Sequence, residues 1–226
     1  SPLGKTTLNV LPCVNPYTRK ISFIELYNVG NQEFAWSTKV SDSWIRLSKQ
    51  SGTTLLQERI IISVDWDKVP IGERITGEIE IVSGNNIEKV YLPVFNPVYP
   101  TVSELKGWYV EDNGCVSINP GKYHRKVENK DIKIQVIEGL GYENQCIRLG
   151  EPIKPVQNPR RSKKAAKVEY DFYTFNAGSV TVYTYALPVF PINLEHGTCF
   201  GVMIDDGLLK YASNNAKEYS GESREN

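Results

Sequence analysis

Apolar and polar residues alternate with period two along most of the chain, and the alternating runs are bounded by Gly, Asn, Asp and Pro. That pattern predicts strands joined by turns; segments with the helical period are hard to find. In RIIISVDW, Ile60, Ile62, Val64 and Trp66 fall on one face, and Arg59, Ile61, Ser63 and Asp65 on the other, so Trp66 is in phase with a core. Ile75, Gly77, Ile79 and Ile81 alternate against Arg74, Thr76, Glu78 and Glu80, as a strand with one wet face should. The SGNN at 83–86 predicts a hairpin, and Val90, Leu92 and Val94 form the inward row of the returning strand. Upstream, ISFIELYNVGNQEFAWSTKV and SWIRLS supply further strands, and Trp36 and Trp44 read as core residues.

At VFNPVYPTVSE, Pro97 and Pro100 fix φ and remove backbone donors, so no ladder runs through them. The boundary is placed there, giving domains 1–97 and 98–226, two tandem antiparallel β-sandwiches of typical size. Alternation resumes in DIKIQVI (Ile132, Ile134, Val136), KVEYDFYTF (Val168, Tyr170, Phe172), SVTVYTYAL (Val180, Val182, Thr184) and CFGVMI (Phe200, Val202, Ile204). The proline-rich, basic stretch 150–167 reads as a surface loop, and the polar tail 214–226 as disordered.

Composition narrows the function. With 226 residues, 40% of them hydrophobic, the chain can bury a real core. Lys plus Arg and Asp plus Glu number 26 each, so no net charge draws the chain to nucleic acid or an anionic membrane. No apolar run approaches the roughly 18 residues of a membrane span, and the opening SPLGKTTLNV has no leader pattern. Cys13, Cys115, Cys146 and Cys199 never form a CxxC pair, which removes support for zinc-ribbon or thioredoxin-type chemistry. Cys115 and Cys146 are readable either as a disulfide or as buried free thiols.

Asp65 and Asp67 flank Trp66 and invite comparison with a glycosidase carboxylate pair, whose members lie about 5–9.5 Å apart with one pKa raised. Residues i and i+2 of a strand are about 6.5 Å apart, but both project from one strand instead of facing each other across a cleft. Asp205-Asp206-Gly207 reads as a hairpin turn, with calcium ligation the sharper alternative. His124 and His196 are isolated, and a Cys199–His196 dyad has no motif around it. No catalytic residue, metal or cofactor is assigned. Tyr173, Tyr183 and Tyr185, out of phase with the core, and Trp108, near the domain junction, are candidates for stacking on sugar rings. Packing of these rings against another domain is the competing reading.

The first half, through Trp36, Ser43-Trp44-Ile45, Gly52, Asp65-Trp66, Pro70, Gly72, Gly77 and Asn96-Pro97, resembles BACON-type, immunoglobulin-like modules. It is also similar to the small sandwich near the end of glycoside hydrolase family 115 proteins, the α-glucuronidases. The second half resembles that family's C-terminal domain through GCVSINPGKYHRK, VIEGLG, Tyr170-Asp171-Phe172, Gly178-Ser179-Val180-Thr181-Val182 and Asp205-Asp206-Gly207. It implies a jelly-roll or carbohydrate-binding-module-like sandwich. Two features depart from the family: Ile118-Asn119-Pro120-Gly121-Lys122-Tyr123 stands where an I-E-A-E-H-Y pattern is usual, and no P-G-x-H-x-L strand follows Gly207. The first puts a carboxylate calcium site in doubt; the second predicts a fragment or truncated chain, or a face covered by another chain.

The resemblance implies a hydrolase parent whose catalytic barrel lies upstream, and carries over no catalytic residue. The expected role is that of a non-catalytic accessory region of an α-glucuronidase-like enzyme acting on glucuronic-acid-decorated xylan or related glycans. It would brace the barrel, make subunit contacts in a homodimer or hold polysaccharide. A stand-alone carbohydrate-binding or adhesion module is the alternative, and a periplasmic or extracellular location is implied.

Overall fold

A computed structural model of the chain describes residues 9–150, 165–187 and 198–214. The described residues form strands and no helix, so the protein is all-β. They divide into two compact units, one of Ser1–Ser117 with Phe172–Phe175 and one of Ile118–Asp171 with Asn176–Asn226.

The first unit holds nine strands of the N-terminal half: β1 (Asn9–Val10), β2 (Ser22–Tyr27), β3 (Phe34–Val40), β4 (Ile45–Leu47), β5 (Ser51–Thr54), β6 (Gln57–Val64), β7 (Gly72–Ser83), β8 (Asn86–Asn96) and β9 (Tyr109–Val110). They build a five-stranded sheet, β1-β8-β7-β3-β5, and a three-stranded sheet, β2-β6-β4. The alternation read from the sequence is what closes the two sheets on each other. Ile60 and Ile62 are fully buried while Ile61 between them is exposed. Ile79, Ile81, Val90, Leu92 and Val94 join Trp44, Ile45 and Ile24 in the core. Val64 and Trp66 are partly buried against that core, as their phase predicts. Trp36 is 3% exposed, and its indole Nε1–H donates to Thr54 Oγ1 at 2.9 Å. Trp44 is equally buried, yet its Nε1–H has no partner among the described residues.

Two glycines show why the sequence reads as it does. Gly84, at φ +59°, turns the β7–β8 hairpin where Ser83 pairs with Asn86. Gly77 lies under the Trp44 indole, where an added Cβ would come within 2.6 Å of both Trp44 and Ile45. The indole therefore occupies the space of a missing side chain.

The division between units falls after Ser117, beyond the proline break at 97–100, because a buried polar node holds 109–117 to the first unit. The Asp112 carboxylate, 7% exposed, accepts from Asn15 Nδ2 at 3.0 Å and Asn113 Nδ2 at 2.9 Å, and pairs with Lys20 at 2.6 Å. Asn15 Oδ1 in turn accepts from the Tyr17 and Thr18 backbone N–H groups. Buried polar atoms demand such partners.

The second unit contains β10 (Arg125–Val127), β11 (Ile134–Glu138), β12 (Gln145–Leu149), β13 (Lys167–Glu169), β15 (Thr198–Val202) and β16 (Lys210–Asn214); β14 (Phe172–Tyr173) interrupts this order. Three antiparallel pairs result, β10–β13, β11–β12 and β15–β16. Arg125 of β10 clamps the first pair, reaching Glu169 at 2.7 Å and Asp171 through two bonds at 2.6–2.7 Å. Among the described residues of this unit, burial is nearly confined to Ile134 and Asn119. The segment predicted as strand SVTVYTYAL differs: residues 180–187 pair with no strand among the described residues and are exposed on both phases, Val180 and Val182 as well as Tyr183 and Tyr185. Alternation signals a strand-competent sequence, but a strand exists only where a neighbour completes its ladder.

β14 belongs to the first unit. It pairs in parallel with β9, Phe172 opposite Tyr109 and Tyr173 opposite Val110; β1 pairs in parallel with β8 as well. These two short contacts depart from the purely antiparallel expectation. Phe175 then packs against Tyr17, Phe95 and Tyr173 with ring centres 5.3, 4.7 and 5.2 Å away. Its backbone N–H donates to Glu111 Oε2 at 2.7 Å, and Glu111 N–H donates to the Tyr173 carbonyl at 2.9 Å.

The stretch read as a basic surface loop is described only at 150 and 165–167; most of it, the tail from 215 and His196 lie outside the described residues.

Candidate functional site

Asp65 follows the last residue of β6 and its backbone N–H donates to the Trp44 carbonyl. Its carboxylate bonds Arg46 Nη2 at 2.8 Å and lies 3.4 Å from Lys68 Nζ. The hydrogen bond from Arg46, with Lys68 beside it, holds the Asp65 carboxyl below the usual carboxylate range. A general acid needs the opposite shift. Asp67 is exposed in the turn that follows, and Trp66 is partly buried against the core. The Asp-Trp-Asp stretch is a strand end fastened by ion pairs.

The other chemical candidates resolve similarly. Asp205 carries a positive φ of 49°, and Gly207 N–H closes the turn on the Ile204 carbonyl at 3.0 Å between β15 and β16. The hairpin reading holds, although the left-handed residue is Asp205. Asn119 Oδ1 caps Gly121 N–H at 2.9 Å, so the segment departing from the family pattern makes its own turn. His124 Nδ1 accepts the Asp171 backbone N–H at 2.9 Å, a structural use. Among the described residues no group of three or more His, Cys, Asp or Glu side chains is placed to hold a metal ion. Cys13, Cys115 and Cys146 are free thiols, with Cys115 exposed. Thr38, Val40, Ile45, Leu47 and Gln50 line an open groove of about 240 Å³ in the first unit, without an ionisable group.

The four aromatic candidates divide between the two units. Trp108, 46% exposed, and Tyr173 lie in the first unit; Tyr183 and Tyr185 lie in the second. Tyr173 is half-buried in β14 with its ring against Phe175. Tyr183 and Tyr185 are 80% and 90% exposed. The structure adds a residue that alternation could not find: Tyr142, 95% exposed, stands with its ring centre 6.4 Å from that of Tyr185 and the planes 18° apart. Its sequence signal was an aromatic inside the Gly-flanked turn GLGYEN, where polar residues are the norm.

Residues 108–226 match the glycosyl hydrolase family 115 C-terminal domain. No curated protein matches the chain. Among solved structures, the E. coli chaperone DraB aligns at 10% identity and TM-score 0.31, over 47% of this chain and 62% of its own. A Bacteroides ovatus GH5 xyloglucanase, solved with a XXXG heptasaccharide, aligns at 16% identity and TM-score 0.31, over 48% of this chain and 21% of its own. SSP-19, an MSP-domain protein like family member of Caenorhabditis elegans, aligns at 14% identity and TM-score 0.27, over 38% of this chain and 94% of its own.

Proposed function

Since the chain belongs to glycosyl hydrolase family 115, through that family's C-terminal domain, we propose that it is a non-catalytic accessory region of an α-glucuronidase-like enzyme. The glycan would be glucuronic-acid-decorated xylan or a relative of it, and the role to brace the parent's catalytic barrel or to make subunit contacts. The proposal treats the chain as two modules, 1–97 and 98–226, with an extracellular or periplasmic setting typical of glycan-degrading enzymes. No helix among the described residues is long and apolar enough to cross a membrane.

The observation that carries the reading is the family match over residues 108–226, and three carboxylates committed to ion pairs, one before that stretch and two within it, support it. Asp65 is bound by Arg46 and Lys68, and Asp171 and Glu169 by Arg125. Their basic partners hold all three carboxyls below the usual carboxylate range, whereas the general acid of the usual two-carboxylate route needs a raised pKa. The test is release of uronic acid from decorated xylan. This chain alone should release none; release that disappears in Asp65→Asn would refute the non-catalytic reading.

Polysaccharide holding is a further part of the proposal. It is supported by the exposure of Tyr183, Tyr185 and Trp108, whereas Tyr173 has one ring contact already filled by Phe175.

A further inference from the structure

We infer that Tyr142 and Tyr185 together form a platform for the neutral backbone of a pyranose polysaccharide, a subsite that rests on the accessory reading above but recognises no uronic acid. The ring planes are 18° from parallel and the centres 6.4 Å apart, a loosely stacked pair. At 95% and 90% exposure the two rings cover each other only slightly, so each keeps an open face. Such faces carry the negative part of the aromatic quadrupole and attract the partly positive C–H bonds of a pyranose face.

The first ring is held by a defined turn. Gly139 and Gly141 adopt φ of +78° and +85°, Asn144 adopts +58°, and Gly139 N–H donates to the Asn144 carbonyl at 2.8 Å. A Cβ on Gly141 would meet the Gln145 carbonyl at 2.7 Å, so that position admits only glycine without rearrangement. Below the turn Gln145 Nε2 donates to Glu138 Oε1 at 2.9 Å across the β11–β12 pair. A ring presented on a fixed turn loses little freedom when it binds.

Charge selects the ligand. The turn 138–145 and the stretch 176–187 that carry the two rings contain no lysine or arginine and contribute only Glu138 and Glu143, and the flanking bases are engaged elsewhere, Lys133 with Glu128 at 3.6 Å and Arg148 with Gln135 at 2.5 Å. A uronate carboxylate placed on this platform would face Glu138 and Glu143, with no unengaged cation on the described residues of those two stretches, whereas an uncharged xylose or glucose unit would meet no such repulsion. Tyrosine with wet hydroxyls suits such a ligand better than the aliphatic side chains that dominate a protein core.

The experiment titrates the full 226-residue chain with a neutral β-linked xylo-oligosaccharide, and separately with a glucuronate-bearing one, by calorimetry. The neutral ligand should bind and the charged one should bind no more tightly. Tyr142→Ala and Tyr185→Ala should each weaken binding about tenfold, while Tyr142→Phe and Tyr185→Phe retain it and Tyr27→Ala, on the other unit, changes nothing. The proposal is overturned by absence of binding, by Ala variants that bind like the parent chain, by preference for the uronate, or by equal loss in Tyr27→Ala. These are binding outcomes; the uronic-acid release assay decides the accessory reading independently.

Discussion

Removing the Phe175 ring tests whether the 172–175 segment is part of the first unit's fold or merely rests on it. Phe175 is half-buried and touches three other rings. Truncating a fully buried Phe to Ala costs about 3–5 kcal/mol, so a half-buried one forfeits about 2 kcal/mol from transfer and cavity together. Each aromatic pair adds about 0.5–1.5 kcal/mol beyond buried area, although the three share one ring and do not sum in full. The expected loss is thus about 3 kcal/mol, and Phe175→Leu, which keeps volume but not the ring pairs, should lose about 1–2 kcal/mol. All four tryptophans, Trp36, Trp44, Trp66 and Trp108, lie within Ser1–Ser117, so tryptophan fluorescence reports on the first unit alone. In urea, with a slope of about 1.5 kcal/mol/M, the Phe175→Ala midpoint should fall by about 2 M. A midpoint unchanged in a folded Phe175→Ala protein would refute the assignment of 172–175 to that unit.

Gly77→Ala should lower stability by about 1–3 kcal/mol, because the new methyl meets Trp44 and Ile45 at 2.6 Å in a filled core; thermal melts read the loss, and Trp44→Phe in the same chain should recover part of it. Thr54→Val should cost about 1–3 kcal/mol by stranding the buried Trp36 Nε1–H that now bonds Thr54, measured by urea unfolding. Asp65, whose pKa is depressed in the folded chain, adds stability that is complete above the unfolded-state value near about 3.9 and is lost as pH falls through the lower folded value. Asp65→Asn should therefore flatten the acid limb of a melting-temperature profile below that pH, and high salt should shrink the difference between variant and parent.

The first sandwich was legible in the sequence to the level of single side chains. Ile60 and Ile62 against Ile61, and the row Ile79, Ile81, Val90, Leu92 and Val94, fell where their phase put them, because a half-buried strand has only two faces to choose between. The strand reaching through Tyr170-Asp171-Phe172 was not legible. It breaks at Asp171, whose backbone N–H goes to His124 and whose carboxylate goes to Arg125, and the next two residues join β9 instead. Periodicity reports which way a side chain points, and is blind to which strand lies alongside. The same blindness made 180–187 look like a paired strand. Tyr142 was missed for a different reason: turns have no period, so a ring carried by one leaves no pattern.

The excursion of Phe172–Phe175 into the first unit has a consequence for how the protein comes apart. A single backbone cleavage anywhere between residues 118 and 171 yields two pieces, and the C-terminal piece still owns the strand paired with β9 and the ring lodged among Tyr17, Phe95 and Tyr173. The nicked protein should therefore travel as one species on a sizing column and separate only in denaturant, behaving as a fragment-complementation pair whose halves share a fold after their covalent tie is gone.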